Sequence, residues 1–169
     1  MILRRIRLLL GAVILGLILS GATAIPLESE LKWLTNLLAG GGRNATPSAG
    51  LHYWLAQACD GIVSTNAKYP FIGYGTDWLA FAHFVIAIAF IGPLRDPLRN
   101  LWVVEFGMIA CVLVVPFALV MGEIRGIPLF WRLIDCSFGV FGAVPLFFML
   151  RMVRDMEAEE RGRARGTAA

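Results

Sequence analysis

Three long apolar runs, at residues 77–94, 101–122 and 129–150, are separated only by short polar turns at 95–100 and 123–128. Each run is close to the ~20 residues that an α-helix needs to cross the hydrocarbon core of a bilayer. Lipid offers no hydrogen-bond partners, so a run of this kind has to satisfy its own backbone and be helical. Connections this short join antiparallel neighbours. The expected fold is therefore all-α: a small bundle of three transmembrane helices across 77–154. Composition agrees, with 58% hydrophobic and 16% charged residues in a chain of 169, against roughly 45–50% and about 25% in soluble domains. A soluble fold of this size could not bury so much apolar surface.

Ahead of the bundle, residues 1–25 open with Arg4, Arg5 and Arg7, continue with an apolar run, and end in Ala22-Thr23-Ala24. That order is the pattern of a secretory signal peptide with a small-residue cleavage site. The apolar stretch is also about 20 residues long, enough for an uncut anchor helix. The balance leans to the signal peptide, and both readings put Ile25 outside the cytoplasm.

Residues 26–76 are more polar. Leu27, Leu31, Leu34 and Leu38 recur at helical spacing, as do Leu51, Trp54, Leu55, Ala58 and Ile62, which predicts two short amphipathic helices. A glycine-rich loop joins them, and the second is expected to break near Gly61 and Ser64-Thr65-Asn66. Such helices suit the outer membrane–water interface, with Trp33, Tyr53 and Trp54 at headgroup depth. Asn44-Ala45-Thr46 matches a glycosylation sequon, a pattern too short to carry weight.

Charge bias orients the bundle. Of the 15 basic residues, Arg4, Arg5, Arg7, Arg95, Arg99, Arg151, Arg154, Arg161, Arg163 and Arg165 fall on one side of the alternating spans. Only Lys32, Arg43, Lys68, Arg125 and Arg132 fall on the other. The richer side is cytoplasmic by the positive-inside rule, with the charged tail 155–169 among it. Nucleic acid is rejected as a partner, because the arginines flank apolar spans.

Polar groups at membrane depth are costly and each needs a reason. His83 and Asp135 both lie about two turns inside a span, and Ala80, Ala87, Gly139 and Gly142 share their faces, which points both toward protein. For His83 the sequence favours a hydrogen bond across helices over a proton relay or a haem ligand. A haem held by two histidines is disfavoured, because His52 lies in the outer segment. For Asp135 it favours an ion pair with Arg132, three residues earlier. The sharper alternative is an outer-facing polar pocket of Asp77, His83, Glu123, Arg125, Arg132 and Asp135, fit for an anionic headgroup, a quinone or a proton in transit. Glu105, at the cytoplasmic end of the second span, is expected to pair with Arg95, Arg99 or Arg151. Gly139 and Gly142, and Gly107 with Ala110 and Cys111, make faces for close packing.

Cys59, Cys111 and Cys136 show no metal-like spacing, so neither a metal site nor a disulfide framework is expected. No phosphate-binding loop, nucleophile elbow or zinc-protease motif is present. The 77–154 stretch looks like that of small bacterial membrane proteins of unassigned function, which implies the inner membrane and no residue roles. The expectation is a non-catalytic accessory, assembly or lipid-binding component that meets the lipid bilayer and other membrane subunits or copies of itself. The alternatives are a subunit of a proton-coupled transporter or channel using His83 and Asp135, and a redox component acting on a quinone or lipid. No cofactor is predicted, with haem and quinone left open.

Overall fold

The computed structural model describes residues 2–39 and 50–166. Residues 40–49, where the glycine-rich loop is expected, with Arg43 and the sequon, lie outside the described residues, as do residues 1 and 167–169. The rest is helical: α1 (Ile2–Ala24), α2 (Leu27–Ala39), α3 (Leu51–Lys68), a 3-10 turn (Pro70–Gly73), α4 (Tyr74–Ala89), α5 (Ile91–Arg95), α6 (Leu101–Ile124) and α7 (Leu129–Gly166). Among the described residues, four helical segments are long and apolar enough to cross a membrane: Ile2–Ala24, Pro70–Arg95, Leu101–Ile124 and Leu129–Glu159. The N-terminal stretch thus has the dimensions of a span in its own right.

The segments differ from expectation in three places, each with a local cause. The first run is not one regular helix. Pro93 lacks an N–H for the carbonyl of Ala89, so α4 ends there. Phe90 stays near helical geometry, and α5 restarts with Pro93 in its first turn, where no N–H is needed. Asn100 then ties the hairpin, its amide donating to the carbonyls of Gly92 at 3.3 Å and Asp96 at 2.9 Å.

The second departure is in α3, which runs unbroken through Gly61 and Ser64-Thr65-Asn66 to Lys68. Ser64 Oγ donates to the carbonyl of Gly61 (3.1 Å) and Asn66 Nδ2 donates to Glu28 Oε2 (2.7 Å). Residues that tend to leave helices by bonding the backbone elsewhere are here satisfied without doing so. The third is α7, whose 38 residues extend about 57 Å at 1.5 Å per residue, well past the ~30 Å hydrocarbon core. The charged tail is helical to Gly166.

The chain divides into two compact units, one of Met1–Gly16 with Ile86–Ala169 and the other Leu17–Val85. In the first, α6 and α7 pack antiparallel. A Cβ placed on Gly139 would lie 2.5 Å from the carbonyl oxygen of Cys111, and one on Gly142 2.8 Å from Cys111 Sγ. One on Gly107 would meet Phe90 at 2.7 Å and Leu146 at 3.1 Å. Bare backbone at these positions is what lets the helices touch, the contact on which membrane helices depend in place of a hydrophobic drive. Cys136 Sγ donates across the same seam to the carbonyl of Val115 at 3.8 Å. Ile6, Leu10, Val104, Leu146, Met149 and Val153 are buried in this unit.

The α6–α7 turn ends in a Schellman motif. Gly126 has a φ of 68°, Ile127 N donates to the carbonyl of Gly122 (2.8 Å) and Gly126 N to that of Glu123 (3.0 Å). In the second unit, α2 lies on α3, with Leu55 and Cys59 buried and Leu27, Leu31 and Leu34 half-buried. There α1 crosses α4 at Gly21, where a Cβ would come within 2.9 Å of the Ala80 carbonyl.

Gly139 provides the sharpest test of the seam, because the obstacle is backbone and cannot swing away. Gly139→Ala is expected to cost about 1–3 kcal/mol by overpacking, lowering the melting temperature in detergent by roughly 3–10 °C. Gly162→Ala, with nothing within 4 Å, should leave it unchanged or slightly raised. Equal melting of the two variants would refute close packing at Gly139.

Candidate functional site

An open groove of about 1070 Å³ lies in the second unit. Its walls come from the chain just after α1 (Ile25, Pro26), the start of α2 (Leu27, Glu28, Ser29), one face of α3 (Trp54, Ala58, Gly61, Ile62, Thr65, Asn66), and the approach to and first turn of α4 (Pro70, Ile72, Gly73, Tyr74, Thr76, Asp77). Trp54 is therefore half-buried in a groove wall, whereas Trp33 and Tyr53 are exposed.

Glu28 organises one side of the groove. Lys32 Nζ, one turn later, donates to Oε1 at 2.5 Å, and Asn66 Nδ2 from α3 donates to Oε2 at 2.7 Å. These donors, Lys32 first, hold the Glu28 carboxyl below the usual carboxylate range, and the same contact holds the Lys32 ammonium above its own. On the other side, Thr76 Oγ1 donates to the carbonyl of Gly73 (2.6 Å). Asp77 sits in the first turn of α4, where a negative charge suits the helix dipole. Among the described residues it has no hydrogen bond or ion pair. Sequence reasoning singled out Asp77 but passed over Glu28 and Asn66. No local pattern links residues 38 positions apart.

His83 lies six residues beyond Asp77, about 9 Å along the helix, and outside the groove lining. Its Nδ1 donates to the carbonyl of Leu79 at 2.8 Å, within its own helix. The expected bond across helices is replaced by a local one, because His83 Cβ sits at the α1 crossing, where a Cβ on Gly21 would be 3.1 Å away.

The remaining candidates belong to the first unit. Arg132 does not pair with Asp135. Its Nε donates to the carbonyl of Ile127 (2.7 Å), its guanidinium forms an ion pair with Glu123, and its aliphatic stem lies over Gly122. Helical side chains lean toward the N-terminus, so Arg132 reaches back over the turn and away from Asp135. Arg125 caps the end of α6 and is exposed. Asp135, half-buried six residues into α7, has no partner among the described residues. Glu105 pairs with Arg154 Nη2 at 3.3 Å, not with Arg95, Arg99 or Arg151. The same lean carries Arg154 back one turn along α7 to meet it. Both side chains are about half exposed or more, so the pair adds little stability.

All three cysteines are free thiols. Among the described residues, no three His, Cys, Asp or Glu side chains converge as a metal site would require.

The Glu28 contacts carry a pH dependence whose sign follows from the lowered carboxyl. Their stabilisation of α2 on α3 is complete above the ordinary carboxylate value of ~4.3 and is lost as the pH falls through the lower folded value. Amide exchange in α2, corrected for its intrinsic pH dependence, should therefore speed up on acidification below pH 4. Glu28→Gln should remove that acid-induced step; a step that persists in the variant would assign it to another group.

Comparison of the chain with family models, with curated proteins and with solved structures gives no match in any of the three.

Proposed function

We propose that the protein is a multi-pass component of the bacterial inner membrane that serves a larger assembly as a non-catalytic accessory or lipid-binding part. In this reading both ends are cytoplasmic, the four apolar segments alternate in direction, and residues 25–69 lie outside. The basic residues at 95–99 and beyond 150 support that orientation. The first helix is retained as a span: Gly21 is seated against Ala80 and Phe84 of α4, a contact that a cleaved leader would forfeit. The observation that carries the reading is the open groove built around α2 and α3. It is made largely by the segment that the spans do not need in order to cross the membrane.

The test is a gentle detergent purification of the tagged full-length protein, followed by mass spectrometry of intact protein, partners and lipids. A defined set of co-purifying membrane subunits or lipids is expected, together with a mature mass that includes residues 1–24. Ile62→Glu, which puts a charge in the groove wall, should strip that set while α-helical content is kept. A lone protein that carries neither subunit nor lipid would overturn the accessory reading, and a mass lacking the first 24 residues would overturn the retained span.

One observation favours a second reading, a subunit of a proton-coupled transporter: Asp135 stands in a span with no partner among the described residues. Flux in liposomes should then be abolished by Asp135→Asn and untouched by Arg161→Gln in the tail. Flux that survives Asp135→Asn would exclude this carboxylate as the coupling group.

A further inference from the structure

The groove has a one-sided chemistry. Among the described residues its charged lining consists of Glu28 and Asp77, with no lysine or arginine. The same groove is lined by the apolar side chains of Ile25, Leu27, Ile62 and Ile72. A ligand that fits both must join a cationic hydrogen-bond donor to a hydrocarbon.

Its position narrows the choice. Ile25 directly follows the last residue of α1, and Tyr74 and Asp77 open α4, so the groove sits where two spans end. From its rim an exposed aromatic ladder descends α4: Tyr74 meets Trp78 edge-on at 5.9 Å, and Trp78 meets Phe81 at 5.6 Å. Exposed tyrosine and tryptophan at a span terminus mark the headgroup layer. The volume, about 1070 Å³, is at the upper end of small-ligand sites, roughly 300–1,000 Å³.

We propose that this groove binds the ethanolamine headgroup of a phospholipid, with the glycerol and upper acyl chains against Ile25, Leu27, Ile62 and Ile72. The inference rests on the reading of residues 25–69 as a lipid-facing outer layer. A primary ammonium donates N–H bonds to Asp77, whose carboxylate has no partner among the described residues, and to Glu28. Lys32, 2.5 Å from Glu28, places a cation beside the site for the phosphodiester, and the Ser29 and Thr65 hydroxyls line it. A choline headgroup has no N–H to give to the carboxylates. A glycerol headgroup has no cation, and its net negative charge is repelled by them.

The experiment offers delipidated full-length protein an equimolar mixture of dioleoyl phosphatidylethanolamine, phosphatidylcholine and phosphatidylglycerol, and reads retention by native mass spectrometry. The ethanolamine lipid should be retained at least about tenfold over the choline lipid, the worth of one charge-assisted hydrogen bond. Asp77→Asn should erase most of that preference and Asp77→Glu should keep it. Asp77 contacts no other side chain through a polar bond, so its substitution tests the site even if Glu28→Gln loosens α2. Free phosphoethanolamine should fail to displace the lipid, since the apolar wall gives it nothing. Equal retention of the ethanolamine and choline lipids, preference for the glycerol lipid, displacement by free phosphoethanolamine, or a preference unchanged in Asp77→Asn would each overturn the proposal. If subunits co-purify while headgroup preference is absent, this inference falls and the accessory reading stands. If neither is found, both fall.

Discussion

Lipid gives a peptide group nothing to bond to, and the four apolar helical segments among the described residues meet that constraint. Each apolar run closes its own hydrogen bonds as helix, and the short turns between runs are equally well satisfied. Asn100 covers the carbonyls of Gly92 and Asp96 at one turn. Gly126, in the left-handed conformation, lets Ile127 and Gly126 cover those of Gly122 and Glu123 at the other. Pro93, Pro116 and Pro145 each withhold one donor. Pro93 is placed at a helix start, where the loss costs nothing, while Pro116 and Pro145 remain inside α6 and α7.

With the backbone satisfied, what remains to hold α6 to α7 is proximity. Hydrophobic burial would give little between helices bathed in hydrocarbon, where dispersion and close backbone approach have to serve. Gly107, Gly139 and Gly142 supply it, and Cys111 fills the space opposite two of them. Large apolar side chains such as Phe117 and Phe141 point away from the protein, 69% and 74% exposed. That arrangement would be a liability in water and is the natural outer surface of a helix in lipid.

The helical class, the long apolar helices over 101–122 and 129–150 and the two helices α2 and α3 were legible because period and length are properties of contiguous sequence. The glycine faces were legible for the same reason. Where prediction failed, a residue's partner lay elsewhere. Ser64-Thr65-Asn66 looks like a break until Asn66 is seen to spend its amide on Glu28, 38 positions away. Arg132 and Asp135 look like a pair until the lean of helical side chains sends the arginine back to Glu123. His83, expected to bond across helices, bonds within its own. The groove could not be foreseen at all, since three separate stretches of chain build it.

The carboxylates of the spans sort by whether the chain itself answers them. Glu105 has Arg154, and Glu123 has Arg132; both pairs tie α6 to α7 near an end of the seam and are explained by that. Asp77 and Asp135 have no such answer among the described residues. An acid in a membrane helix carries a desolvation cost that structure alone would remove by substitution. For Asp77 the cost is small, because it is exposed at a helix N-terminus, and a ligand there needs only to add a cation to a site already tolerant of charge. Asp135 lies about 9 Å into α7 and is half-buried, so its charge is less well tolerated. The two acids thus differ in what ionisation costs them, little at the exposed start of α4 and more within α7.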